Sequence, residues 1–386
     1  MPQHPDTSGS VEKIQGSVFS SVAGILAEYS GELFRFQVGD TWMEPPEGCR
    51  MEDLTVAGYP GMHRYAPTRG LPGLVSSVAE RVTSRSGLFT APEEVLISAG
   101  ATGGLAAVLG AILEPGEEVL VLAPYWPLVD GLVRTYRGHP VPVPFIGEVS
   151  DAVGAVAAVE SRRTDRTAAL YLSTPNNPTG RLIPREQLEA LAEWARSSNL
   201  WLISDEVYED YAFTGRHVYT RPLAPERTFS VHSFSKAFGM AGNRCGYVAG
   251  PAEVMEKLER VSTHNYYSTP TASQLAAARA LEGAGDRWVD RARKLYREAG
   301  MSSSRILGVP APEGSTFLFL DVADHAADHE GGLNGLLMEL ARNGVAVAPG
   351  PSFGPYPSHI RVCFTADPPD VMERGMEKLA GLLSRV

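Results

Sequence analysis

Between Ser230 and Tyr247 the chain reads SVHSFSKAFGMAGNRCGY, with one lysine, Lys236, just after an apolar run. Arg244 stands eight positions further on, and Ser233 and Ser235 precede the lysine. A lysine held deep in a fold loses its proton readily and can attack a carbonyl to form a Schiff base, whereas the plain alternative is a solvated surface lysine. Other residues of chemical interest recur at comparable places. Gly100–Gly104, in AGATGGL, is either a tight turn or a cradle of free amides for an anion. It lacks the Gly-Lys-Ser/Thr of a nucleotide-binding loop. PYW (124–126) supplies Trp126, TPNNPTG (174–180) supplies Asn177, and DEVYEDY (205–211) joins Asp205 to Tyr208. Asp205 and Glu206 have no histidine beside them, so no metal is expected. His325 and His329 in DHAADHE read as a polar loop, and His232 as a packing residue. Arg361, a lone cation in HIRVCF (359–364), reads by itself as a surface arginine.

These residues follow short apolar runs: VLISAG (95–100), EVLVLAP (118–124), AALYLS (168–173), LWLIS (200–204), TFSVHS (228–233) and CGYVAG (245–250). Little polar alternation marks strands buried on both faces. Helical patterns lie between them. In PREQLEALAEWARSSN, Pro184 opens a helix with Leu188, Leu191, Ala192 and Ala195 on one face. The order implies an α/β fold: an open, mostly parallel sheet of seven-stranded type with helices on both faces. Ligands of such sheets collect beyond the strands' carboxyl ends, where the residues above fall. The last hundred residues, with STFLFLDV (315–322), VAVAPG (345–350), HIRVCF and a helix carrying Met372, Met376, Leu379 and Leu383, predict a smaller α+β domain. The expected division is a polar tail over 1–12, a large domain over 40–285, and a small domain of 13–39 and 286–386, with a long helix around 270–300 as connector.

A chain of 386 residues has room for more than one domain. Its net charge of −11 argues against nucleic acid or an anionic membrane surface as partner. Three scattered cysteines suit a reducing compartment, and no apolar run approaches the ~20 residues of a membrane span, so the cytoplasm is expected.

STPNNPTG, SDEVYEDY and SFSKAFGMAGNRCGY, together with YAPTRGLPGL (65–74), APYWP (123–127) and HIRVCF, resemble the pyridoxal-phosphate enzymes of fold type I, the aspartate-aminotransferase-like class I/II aminotransferases. The resemblance implies pyridoxal 5'-phosphate as cofactor and a catalytic set of Lys236, Asp205 and Tyr208. Lys236 would form the Schiff base and move the substrate α-proton, and Asp205 would pair with the pyridine nitrogen. Asn177 and Tyr208 would donate to the phenolate oxygen, and Trp126 would stack on the ring. The phosphate would rest on the amides of Ala101 and Thr102, with Ser233, Ser235 and Arg244 completing the cup, and Tyr65 would reach it from a second subunit of a homodimer. Arg361 would clamp the substrate α-carboxylate beside Asn177 and Gly39. The implied reaction moves an amino group between an α-amino acid and a 2-oxo acid. A β- or γ-eliminating lyase uses the same lysine, and a cofactor-binding protein without activity is a third reading, disfavoured by the intact lysine, aspartate and arginine. No second arginine stands out to read an acidic side chain. Thr316 falls where many members carry a pocket aromatic. A neutral or bulky substrate side chain is therefore expected.

Overall fold

The computed structural model describes residues 5–16 and 20–384. Residues 1–4 of the expected tail, and residues 17–19 of the segment assigned to the smaller domain, lie outside them. The strands among the described residues are β1 (Phe34–Arg35), β2 (Val95–Ser98), β3 (Glu118–Ala123), β4 (His139–Pro144), β5 (Thr167–Ser173), β6 (Trp201–Asp205), β7 (Thr228–Ser233), β8 (Gly246–Ala249), β9 (Phe317–Asp321), β10 (Val345–Ala346), β11 (Ala348–Pro349) and β12 (His359–Cys363).

Seven of them form one sheet in the order β2-β8-β7-β6-β5-β3-β4. Its pairings are parallel except those of β8, which runs antiparallel to β2 and β7. Alternate residues of a strand serve opposite faces, and both faces are covered. Val119 and Val121 pack with Leu105 and Val108 of the helix Gly100–Ile112. Leu120 and Leu122 pack with Leu188 and Leu191 of the helix Arg185–Ser197. This two-sided burial explains the uninterrupted apolar runs.

The seventh strand, β4, reads HPVPVP and was not anticipated. Its prolines lack amide donors, which a central strand could not tolerate. β4 pairs only with β3 and so occupies the sheet edge, where proline is allowed.

A second, antiparallel sheet has the order β11-β12-β9, and β1 pairs in parallel with β10. VAVAPG, read as one strand, is thus divided between two partners. Phe34 and Phe36 share a core with Leu318, Leu320, Ile360 and Val362, and with Met372, Met376, Leu379 and Leu383 of the helix Pro369–Leu383. The expected single connector helix is broken. Helices Thr271–Arg279 and Gly285–Leu307 flank a widened turn in which Glu282 and Gly283 leave helical geometry. Gly283 has φ 98°, a left-handed conformation that glycine adopts without penalty.

Candidate active site

The carboxyl ends of β2, β3, β5, β6 and β7 meet at a cavity of about 380 Å³. Gly39, Ala101, Thr102, Trp126, Asn177, Asp205, Tyr208, Ser233, Ser235, Lys236, Arg244 and Arg361 all line it. Tyr65 does not. Its side chain is 86% exposed, lies in a separate cleft with Arg64 and Thr271, and has its ring centroid 4.9 Å from that of Tyr267.

Lys236 sits in the single helical turn Phe234–Ala237 that follows β7. Ser233 caps this turn by accepting from the Ser235 amide at 3.0 Å, and its hydroxyl donates to Ser235 Oγ at 2.8 Å. Lys236 Nζ donates to the Gly39 carbonyl and lies 3.5 Å from Asp40 Oδ1. Burial lowers the lysine pKa, with the Asp40 charge opposing.

Asp205 ends β6. Its Oδ2 accepts from the Tyr171 hydroxyl at 2.8 Å and its Oδ1 from the Val207 amide at 3.3 Å. Burial pushes its carboxyl up to about 6, against these donors. Glu206 turns to the other side, accepting from Ser204 Oγ at 2.9 Å and the Thr220 amide at 3.0 Å beside His217. The two acids therefore do not form a pair. No group of three or more metal-ligating side chains occurs among the described residues. His232 is buried, stacks on Tyr247 at 4.7 Å and has Nδ1 3.3 Å from Glu209 Oε1.

A receptacle for an anion stands at the start of the helix Gly100–Ile112. Gly100 has φ 67°, and a Cβ there would lie 2.5 Å from Arg244 Nη2. Only glycine leaves the guanidinium this place above the free helical amides of Ala101 and Thr102. Arg244 is itself left-handed, at φ 52°, and its Nη1 donates to the Ala241 carbonyl at 2.9 Å.

Arg361 enters from β12, on the second sheet. Its Nη1 donates to Asn177 Oδ1 at 3.1 Å and its Nη2 to the Gln37 carbonyl at 2.6 Å. The rings of Phe317 and Phe353 flank it at 4.2 and 4.9 Å. Its Nε is buried with no partner. A fixed guanidinium with an unanswered donor suits a carboxylate oxygen. Tyr208 is buried edge-on to Phe317 at 5.7 Å, and burial holds its hydroxyl neutral by raising its pKa.

Sequence reasoning missed several residues here. Tyr171 reads as one more core aromatic in AALYLS, and nothing local marks its hydroxyl. Val38, Leu128 and Phe353 also line the cavity, the last from a turn far along the chain. The expectation at Thr316 is corrected: Thr316 is buried and does not line the cavity, whereas its neighbour Phe317 does, so the site has an aromatic wall.

Comparison with known proteins agrees with this geometry. The profile of the family described as aminotransferase class I and II matches residues 50–379. The chain belongs to this family. It is 35% identical over 364 residues to the aspartate/prephenate aminotransferase of Thermus thermophilus, covering 92% of each chain. It is 33% identical over 344 residues to the arginine–pyruvate transaminase of Pseudomonas aeruginosa, covering 87% of this chain and 86% of that one. The solved structure of the Thermus thermophilus aspartate aminotransferase with maleate superposes with a TM-score of 0.87 at 32% identity, over 98% of this chain and 100% of that one. The protein is a pyridoxal-phosphate-dependent aminotransferase.

The residues present fit that cofactor. Gly100 and Arg244 shape a phosphate receptacle that a Cβ would fill. The cavity also offers an amine in Lys236, a carboxylate in Asp205 and an indole in Trp126. These match an aldehyde, a ring nitrogen and a ring face. No helix among the described residues is long and apolar enough to cross a membrane.

Proposed function

We propose that Lys236, Asp205, Arg244 and Arg361 are the residues through which this aminotransferase exchanges the amino group of an α-amino acid for the oxygen of a 2-oxo acid. The observation that carries the reading is their convergence, from three separate stretches of chain, on one cavity. Arg244, Ser233, Ser235 and the amides of Ala101 and Thr102 hold the phosphate. Asp205 keeps the ring nitrogen protonated, Asn177 and Tyr208 donate to the ring oxygen, and Trp126 fixes the ring plane. Pyridoxal phosphate, when bound, supplies a carbonyl carbon that takes up the amino group and a ring that spreads the electron pair left on the substrate α-carbon.

The protein's own part is binding and proton movement. The Arg361 guanidinium takes the α-carboxylate and so fixes which α-carbon bond faces Lys236. Gly39 leaves room, because a Cβ there would lie 2.8 Å from the Phe317 ring. Lys236 would hold the cofactor by its carbonyl carbon until the substrate amine displaces it; the freed Nζ would then take the substrate α-proton and deliver it to the former carbonyl carbon. Burial supports that step by lowering the lysine pKa.

The same reading includes a cytoplasmic homodimer in which Tyr65 completes the phosphate site of a second copy. The exposed Tyr65–Tyr267 pair and the three free, buried thiols support it. It also divides the chain into a large unit, 40–285, and a small one of 13–39 and 286–386, supported by the shared core of Phe34 and Phe36 with the C-terminal strands.

The test mixes cofactor-loaded protein with single amino acids and follows its visible absorbance. Transfer converts the bound cofactor to its amine form, and a 2-oxo acid restores it. Lys236→Ala should abolish turnover and change the resting spectrum. Wild-type rates in that variant, or release of pyruvate and ammonia from β-substituted amino acids without a 2-oxo acid, would overturn the assignment. The relatives named above are transaminases, and none carries the elimination reading.

A further inference from the structure

The cavity's described lining holds three cationic side chains, Lys236, Arg244 and Arg361, and one acidic one, Asp205. On the reading above, on which this inference rests, each is committed. Lys236 meets the carbonyl carbon, Arg244 the phosphate, Arg361 the α-carboxylate and Asp205 the ring nitrogen. No charge among the described lining residues is left for the substrate's side chain.

Beside its hydrogen bonds to Asn177 and Gln37, Arg361 is flanked by apolar groups. Phe317 and Phe353 face its guanidinium at 4.2 and 4.9 Å, and Ala348 pairs with it across the sheet. Val38 follows Gln37, whose carbonyl Arg361 holds at 2.6 Å. Leu128, also in the lining, follows Trp126 and Pro127 at the start of a helix. Val38 is 42% exposed and Leu128 52% exposed, and both line the cavity. An apolar substrate side chain would remove their surface from water, whereas a carboxylate or guanidinium would lose its own water and find no uncommitted counter-charge among this chain's described lining residues.

We propose that this site takes amino acids with uncharged, apolar side chains, aliphatic or aromatic, and that Val38, Leu128 and Phe353 form the wall that reads them. This departs from the aspartate and arginine in the names of the relatives cited above.

The test uses full-length, cofactor-loaded protein in the assembly it adopts in solution. Conversion of the bound cofactor to its amine form is followed with leucine, methionine and phenylalanine, and with aspartate, glutamate and arginine, each alone. The expected kcat/KM for the amine-forming half-reaction is about tenfold or more higher for the apolar set. A charged amino acid reacting within tenfold of the best apolar one, or faster, overturns the proposal and leaves the amino-transfer reading standing. If none of the six reacts, this proposal falls, and the amino-transfer reading is decided by the wider screen of single amino acids described above. Leu128→Lys, at an exposed position, should raise the aspartate-to-leucine ratio about tenfold by supplying the missing charge. An unchanged ratio with an unchanged melting temperature would remove Leu128 from the wall.

Discussion

The Tyr171 hydroxyl donates to Asp205 Oδ2 at 2.8 Å, between two side chains that are both buried. Tyr171 sits in β5 and Asp205 ends the neighbouring β6, so the sheet itself fixes their separation. Burial drives the Asp205 carboxyl toward its neutral form and the tyrosine draws it back. Phenylalanine keeps the ring's packing and removes only the donor. A hydrogen bond to a charged group contributes about 1.5–3 kcal/mol, so Tyr171→Phe should weaken cofactor binding roughly tenfold or more. It should also move the pH dependence of binding upward. Titrating the apo-protein with pyridoxal phosphate by absorbance checks both. Unaltered affinity with an unaltered pH profile would show that the tyrosine only packs. The KM for the amino acid, which depends on Arg361, should change little.

The same carboxyl makes a prediction about stability. Its pKa is 3.8 in an ordinary aspartate and about 6 in the folded apo-protein. A folded value above the unfolded one stabilises the fold in acid, and the advantage is lost as pH rises. The window here opens at 3.8 and closes at about 6, and it corresponds to about 3 kcal/mol. Apo Asp205→Asn, which carries no charge at any pH, should match the wild type below that window. It should exceed the wild type in stability above it, level from about pH 6 upward. Denaturant unfolding across pH measures the difference, and equal stabilities at pH 7 would contradict the burial argument. The cofactor-loaded proteins should show the reverse order, because the bound ring nitrogen supplies the missing partner charge.

Gly100 sets a packing limit on the anion receptacle. It has φ 67°, and an added Cβ would approach Arg244 Nη2 to 2.5 Å. Gly100→Ala must therefore both strain the backbone and displace the guanidinium. Left-handed backbone costs a non-glycine residue roughly 1–2 kcal/mol, so the melting temperature should fall modestly. The larger effect should be on affinity for the phosphate-bearing cofactor. Pyridoxal, which lacks the phosphate, should bind the variant and the wild type alike. A comparable loss for both ligands would place the phosphate elsewhere.

How much of this was readable in the chain depended on whether the signal was local. Lys236, Asp205 and Asn177 stood out because each lies at or just beyond the carboxyl end of a buried strand, and Arg244 because it precedes the antiparallel β8, whose start falls on the same edge of the sheet. Arg361 and Phe353 come from the second sheet and a turn beside it, so their distance from Lys236 follows from packing between sheets and is not written in any short stretch. Tyr171 was hidden for another reason: in a strand buried on both faces, a functional tyrosine and a packing tyrosine look alike. β4 was hidden by its prolines, whose meaning reverses at a sheet edge. The connector break at Gly283 was hidden because one glycine in a helical pattern is usually tolerated.

Arg361 combines features that lysine cannot reproduce. Its fork reaches Asn177 Oδ1 and the Gln37 carbonyl together, its plane lies between Phe317 and Phe353, and its Nε remains free. Lysine keeps one charge but offers a single nitrogen that must choose among these acceptors. Arg361→Lys should therefore weaken binding of the α-carboxylate by about 2–3 kcal/mol, roughly thirty- to over a hundredfold in KM. Cofactor affinity should change less, because Arg361 reaches the cofactor only through Asn177 whereas Arg244 holds the phosphate. Steady-state kinetics with the best amino acid, beside a cofactor titration, separate the two effects. The KM increase should be similar for every amino acid, since the α-carboxylate is common to all. An increase confined to one side-chain class would mean that Arg361 reads the side chain and that the α-carboxylate is held elsewhere.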